Sequence, residues 1–113
     1  MSDCLFCRMA SGDIKPDLVY EDEEIIAFRD INPQAPVHCL VIPRRHIAAL
    51  DTLEPADAAL LGRMFLVAKR LAAEQGLAAG YRTVINCRED GGQTVYHLHL
   101  HVLGGRGMTW PPG

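Results

Sequence analysis

The stretch His97-Leu98-His99-Leu100-His101-Val102-Leu103 decides how this chain is read. Side chains alternate faces along a strand, so the three histidines would share one face, about 6.6 Å apart. Leu98, Leu100 and Val102 would point the other way, into a core. Polar alternates that are all histidine mark a face built for imidazole chemistry, whether nucleophile, general acid–base or metal ligand. Immediately upstream lies Asp90-Gly91-Gly92-Gln93-Thr94. Its glycines let consecutive backbone N–H groups converge on an anion, and Gln93 and Thr94 add side-chain donors. A Gly-Gly turn serves a plain hairpin equally well. Its place directly before the histidines favours a phosphate cradle, to which Asn86, at the end of the preceding strand, would add a donor.

Working outward, Val95 to Leu103 reads as one strand and Tyr81 to Asn86 as another. Leu18 to Asp30 reads as two short strands around the acidic turn Glu21-Asp22-Glu23-Glu24. Asn32-Pro33-Gln34-Ala35-Pro36 is a loop, because its prolines fix φ and remove donors. Val37 to Ile42 is an apolar strand that Pro43 ends. The one clear helix begins near Pro55, with Asp57 in its first turn. Leu60, Met64, Val67, Ala68 and Leu71 follow at helical spacing, and Gly76 offers a stop. Short strands around one long helix predict an α+β domain with a mostly antiparallel sheet of about five strands. The tail Trp110-Pro111-Pro112-Gly113 fits neither a helix nor an inner strand, and its tryptophan calls for a surface to pack on.

The 113 residues make one domain, 1–113, with 49% hydrophobic and 22% charged residues, the balance of a folded globular protein. No apolar run reaches the roughly 18 residues of a membrane span, and no export signal is visible in Met1 to Pro16, so a cytoplasmic location is expected. A net charge of −3 argues against nucleic acid as a partner, because phosphate neutralisation supplies most of that affinity. Of the four cysteines, Cys4 and Cys7 form a C-x-x-C, while Cys39 and Cys87 fall in predicted strands. Without an export signal, metal binding or reduced thiols are expected rather than a disulfide framework.

The run from Gly91 through His97, His99 and His101 to Gly104-Gly105-Arg106 resembles the histidine triad family, whose pattern is His-φ-His-φ-His-φ-φ with φ apolar. Asp30-Ile31-Asn32-Pro33-Gln34-Ala35-Pro36, Val41-Ile42-Pro43-Arg44-Arg45-His46 and the Trp-Pro-Pro-Gly tail resemble its Hint-type branch, the purine nucleoside phosphoramidases. The resemblance runs from about Leu5 to Gly113. It implies a fold that dimerises into a larger continuous sheet, and a hydrolase that cleaves the P–N bond of purine nucleoside 5′-phosphoramidates, adenosine preferred. AMP or GMP would be released through a nucleotidyl-histidine intermediate. By that resemblance His99 is the nucleophile, His101 bonds the phosphate or leaving group, His97 braces the ring behind, and His38 completes the network. Asn86, Gly92, Gln93, Thr94 and Val95 match phosphate-side contacts, and Asp30 the carboxylate on the ribose hydroxyls. Leu5, Phe6, Phe28, Ile31 and Leu40 match the purine slot. Thr94 stands where serine is usual, and its hydroxyl retains the proton donor. Cys87-Arg88 departs from the smaller polar residues of many relatives.

Read from the residues alone, Asp30 is equally a turn cap before Pro33, and Phe28 and Leu40 are plain core. No metal is required for the implied catalysis. Some bacterial relatives with the N-terminal cysteine pair bind zinc, and their ligand positions correspond here to Cys4, Cys7, His46 and His97. The alternative is a pair of thiols at the edge of the pocket. Three rival readings stand beside the phosphoramidase: a dinucleoside polyphosphate hydrolase or nucleotidyl transferase of the same fold, a nucleotide-binding regulatory protein with incidental turnover, and a metalloenzyme using His97, His99 and His101 as ligands.

Overall fold

Two apolar runs, Ile25–Arg29 and Val37–Pro43, form the central strands of the computed structural model, which describes residues 3–113. The strands are β1 (Leu18–Glu21), β2 (Ile25–Arg29), β3 (Val37–Pro43), β4 (Tyr81–Val84) and β5 (Leu100–Gly104). They make one antiparallel sheet in the order β1-β2-β3-β5-β4. The acidic turn between β1 and β2 is closed by Asp22, whose Oδ1 accepts from the amides of Glu24 and Ile25, each at 2.8 Å. A 3-10 turn, Pro55–Asp57, leads into helix α2 (Ala58–Glu74), much as the apolar spacing predicts.

Both faces of the sheet are covered. Ile25, Ala27, Cys39, Val41, Leu100 and Val102 pack with Leu60, Met64, Val67, Ala68 and Leu71 of α2. The alternate residues Ile26, Phe28, Leu40 and Ile42 form a second cluster around Phe6. Phe6 belongs to a short helix, α1 (Leu5–Ser11), that the sequence reading does not contain. Its seven residues are too few for a periodic signal, and its N-cap is unusual. The Cys4 thiol takes the cap role, accepting from the Cys7 amide at 3.3 Å. Gly12 ends it in the left-handed region at φ +89°, the usual stop.

Two strands are shorter than expected. Ladder pairing of β5 starts only at Leu100, not at Val95. The chain bends at Val95 to His97, and the Leu98 amide donates 2.6 Å to the carbonyl of Ile47 instead of to a neighbouring strand. β4 stops at Val84, so Asn86 and Cys87 lie in the following loop, outside any strand. That loop turns tightly enough that a Cβ on Gly91 would collide with the Cys87 carbonyl, so the first glycine of the pair is sterically required.

Candidate active site

The histidines divide between two neighbouring sites. His99 and His101 line a cavity of about 570 Å³, within the range of small-molecule pockets. Its walls include Leu5 and Phe6 from α1, Phe28 and Asp30 from the end of β2, His38 and Leu40 from β3, and Thr94 and Val95 before the bend. Ile31, 96% exposed, stands at the rim. These are residues that the family resemblance brings forward, and the fold gathers them. Met9, Ile14, Lys15, Asn32 and Gln34 also line the cavity. Sequence reasoning missed them; for Met9 and Ile14 the signal was the unread helix and its exit.

Asn86, Gly92 and Gln93 are not among the residues lining this cavity. For Gln93 the reason is chemical. Its buried amide is spent inside the loop, where Nε2 donates to the carbonyls of Ala48 (2.8 Å) and Val95 (3.1 Å) and Oε1 accepts from the Arg88 amide (2.8 Å). Gln93 therefore clasps the glycine loop to the chain around Ala48.

Backbone partners set the protons on the imidazoles. His99 Nδ1 lies 2.7 Å from the carbonyl of His97. A carbonyl only accepts, so the proton is on Nδ1 and Nε2 keeps its lone pair. His38 Nδ1 accepts from the Gln34 amide at 3.0 Å, which puts the His38 proton on Nε2. That nitrogen is 2.9 Å from His101 Nδ1 and 3.5 Å from Asp30 Oδ2. His38 then donates to His101 Nδ1, and the His101 proton lies on Nε2. Among the described residues, buried His101 Nε2 has no hydrogen-bond partner. A buried donor without an acceptor costs roughly 1–3 kcal/mol, so this N–H can donate to an acceptor oxygen that enters from the cavity His101 lines. Asp30, His38 and His101 are close enough together for a metal, but the proton that Gln34 fixes on His38 Nε2 occupies that position.

Burial keeps these rings neutral. Burial lowers the affinity of His99 for a proton, opposed by the His97 carbonyl. His38 is lowered by burial, against the pull of Asp30. His101 falls from the ordinary 6.5 to about 4 through burial and the neighbouring rings of His99 and His38. Asp30 caps the turn, as one of its two readings expects: Oδ1 accepts from the Asn32 amide at 2.9 Å, while Oδ2 lies 3.5 Å from His38 Nε2.

His97 belongs to the second site. It is fully buried, with Nε2 2.7 Å from the Pro43 carbonyl. Its Nδ1 therefore presents a lone pair to Cys4 Sγ (3.3 Å) and Cys7 Sγ (3.5 Å), and Cys7 Sγ is 3.3 Å from His46 Nδ1. These separations are edges of a tetrahedron whose centre would lie about 2.0–2.3 Å from each donor, the bond lengths of zinc. The Pro43 carbonyl behind His97 is the outer partner such a ligand requires. The four residues fit the metal.

Residues 11–108 match the HIT domain. The chain belongs to the HIT family. It is 54% identical over 111 residues to an uncharacterised HIT-like protein of Synechococcus elongatus, covering 98% of this chain and 97% of that protein. Among solved structures, a HIT family hydrolase from Legionella pneumophila superposes with a TM-score of 0.96 at 54% identity, covering 98% of this chain and all of the other. A zinc-bound histidine triad family protein from Mycobacterium smegmatis superposes with a TM-score of 0.80 at 37% identity, over 93% of this chain and 76% of that one. Among the described residues of this HIT protein, no helix is long and apolar enough to cross a membrane.

Proposed function

We propose that this HIT protein hydrolyses purine nucleoside 5′-phosphoramidates, adenosine preferred, to nucleoside monophosphate and amine. One observation carries the reading: His99, whose Nε2 holds a lone pair, and His101, whose Nε2–H is a donor without an acceptor among the described residues, line the same cavity as Phe6, Phe28 and Leu40. Phe6, Phe28 and Leu40 suit a purine, and the Asp30 carboxylate, which lines the same cavity, suits the ribose hydroxyls. His99 Nε2 attacks the α-phosphorus. The P–N bond to the amine breaks, and the departing nitrogen takes its proton from the Thr94 hydroxyl. His101 Nε2–H donates to a non-bridging oxygen as charge gathers there. Water then displaces His99 from phosphorus; one proton of that water restores the Thr94 hydroxyl, and the other stays with its oxygen on the monophosphate. Splitting the displacement in two lowers each barrier.

No step needs a metal. Zinc held by Cys4, Cys7, His46 and His97 would be four-coordinate and closed, supplying structure. The open edge of β4 and the exposed Tyr81 and Phe65 support pairing of two copies into a larger sheet. The reading is tested by comparing adenosine 5′-phosphoramidate with a diadenosine polyphosphate under identical conditions. Higher kcat/KM on the phosphoramidate is expected, unchanged when chelator is present in the assay mixture for no longer than the initial rate takes to record. Preference for the polyphosphate would replace the substrate class, and no release from either would remove the hydrolase reading.

A further inference from the structure

We infer that the Cys4, Cys7, His46 and His97 cluster, when it holds a metal ion, positions the nucleotide cavity, so that metal and nucleotide bind cooperatively. The inference rests on the nucleotide reading above. Among the described residues, Cys4, Cys7 and His46 do not line the cavity, so any effect they have on nucleotide must pass through other groups. Two routes exist.

The first is helix α1. A helix of seven residues has little stability of its own. Arg44 fastens its far end, with Nη1 donating to the Ala10 carbonyl at 2.8 Å. The near end is held through Cys4 and Cys7. Between these cysteines lie Leu5 and Phe6, and one turn on lies Met9, all three in the cavity wall. The Phe6 ring meets His97 edgewise at 5.9 Å, His99 at 5.1 Å and Phe28 at 5.5 Å between centroids. A metal joining α1 to His46 and His97 would fix this wall against the sheet.

The second route is His97 itself. Its ring faces the sulfurs, and its carbonyl accepts from His99 Nδ1–H at an N···O distance of 2.7 Å. Fixing the ring fixes the residue whose backbone orients the nucleophile. Order imposed by the metal then does not have to be imposed again by the nucleotide, and the coupling must be reciprocal. Cys4, Cys7 and His46 are in this sense positioning residues.

The test uses the intact chain loaded with zinc, excess metal removed by gel filtration, beside the chelator-stripped chain. Calorimetry gives the AMP Kd of each, and transfer to excess chromogenic chelator gives the rate of zinc release with and without AMP. AMP is expected to bind at least about fivefold tighter to the loaded protein, the lower range of measured couplings. Zinc release should slow as AMP is added and reach a plateau. Global stabilisation by a ligand grows with its concentration without limit. Slowing with no plateau would therefore identify whole-chain unfolding as the release route and overturn the inference, even if the stripped chain does not stay folded. Equal AMP affinity in both forms, or no zinc bound at all, would overturn the coupling and leave the nucleotide reading standing. No AMP binding in either form would overturn both.

Discussion

His97 and His99 are two residues apart in sequence, yet they lead separate chemical lives. Each donates one ring N–H to a main-chain carbonyl, His97 through Nε2 to Pro43 and His99 through Nδ1 to His97 itself. Opposite nitrogens are therefore left with lone pairs. On His97 it is Nδ1, facing two sulfurs; on His99 it is Nε2, at a cavity. Which nitrogen the backbone claims thus sets where each ring can act, His97 towards the cysteine cluster and His99, the proposed nucleophile, towards the cavity. His101 adds a third outcome: a histidine partner takes Nδ1 and leaves an N–H with nowhere to donate.

This contrast is broken most severely by exchanging the losses. His99→Ala should lower turnover of an adenosine phosphoramidate by at least about a thousandfold, the scale of removing a nucleophile, while metal content and melting temperature hold. Cys7→Ser should do the reverse: metal analysis should find the cluster's zinc lost and the melting temperature reduced by about 10 °C, as a loss of one to two kcal/mol implies in a domain this size, with turnover still measurable. A His99→Ala protein that loses its zinc would mean the two sites are one.

A smaller effect sharpens the comparison from the other side. His38→Leu removes the donor to His101 Nδ1 and leaves the His101 proton free to move off Nε2. A fall in kcat of about a hundredfold is expected, the scale of one proton-handling group, with AMP affinity reduced much less. Equal losses in kcat and affinity would show His38 acting only as packing.

The mildest test is pH. The unfolded chain takes up a proton on His101 near pH 6.5, whereas the folded chain refuses it until about pH 4. The unfolded state thus binds more protons across that window, and stability falls as pH drops from 6.5 towards 4. Above pH 6.5 this contribution is flat. Thermal melts from pH 4 to 8 should show that slope, and His101→Asn should lessen it.

Much of this was legible in sequence because it follows from alternation. The apolar positions Leu98, Leu100 and Val102 do pack under α2, and the register of β3 on β5, with Leu40 opposite His101, brings His38 within reach of it. The helix from Pro55, the acidic turn closed by Asp22 and the loop of prolines were equally plain. What stayed hidden was non-local. Helix α1 is capped by a thiol and stabilised by burying Phe6 on the sheet, neither of which leaves a periodic trace. The break before Leu100 depends on the carbonyl of Ile47, fifty-one residues upstream of Leu98. Gln93 reads as a phosphate donor until its amide is found occupied by Ala48, Val95 and Arg88. Residue types located the imidazoles; only tertiary partners decided which nitrogen of each keeps its lone pair.

The proposed bond between His99 Nε2 and phosphorus can be trapped. The protein would be mixed with excess adenosine 5′-phosphoramidate, quenched in alkali within the first turnover, digested and read by mass spectrometry. An adenylyl adduct is expected on the peptide bearing His97, His99 and His101, with fragmentation placing it on His99, and none in His99→Ala. An adduct on His101 or His97, or single-turnover AMP release at the full rate with no adduct at any time, would contradict it.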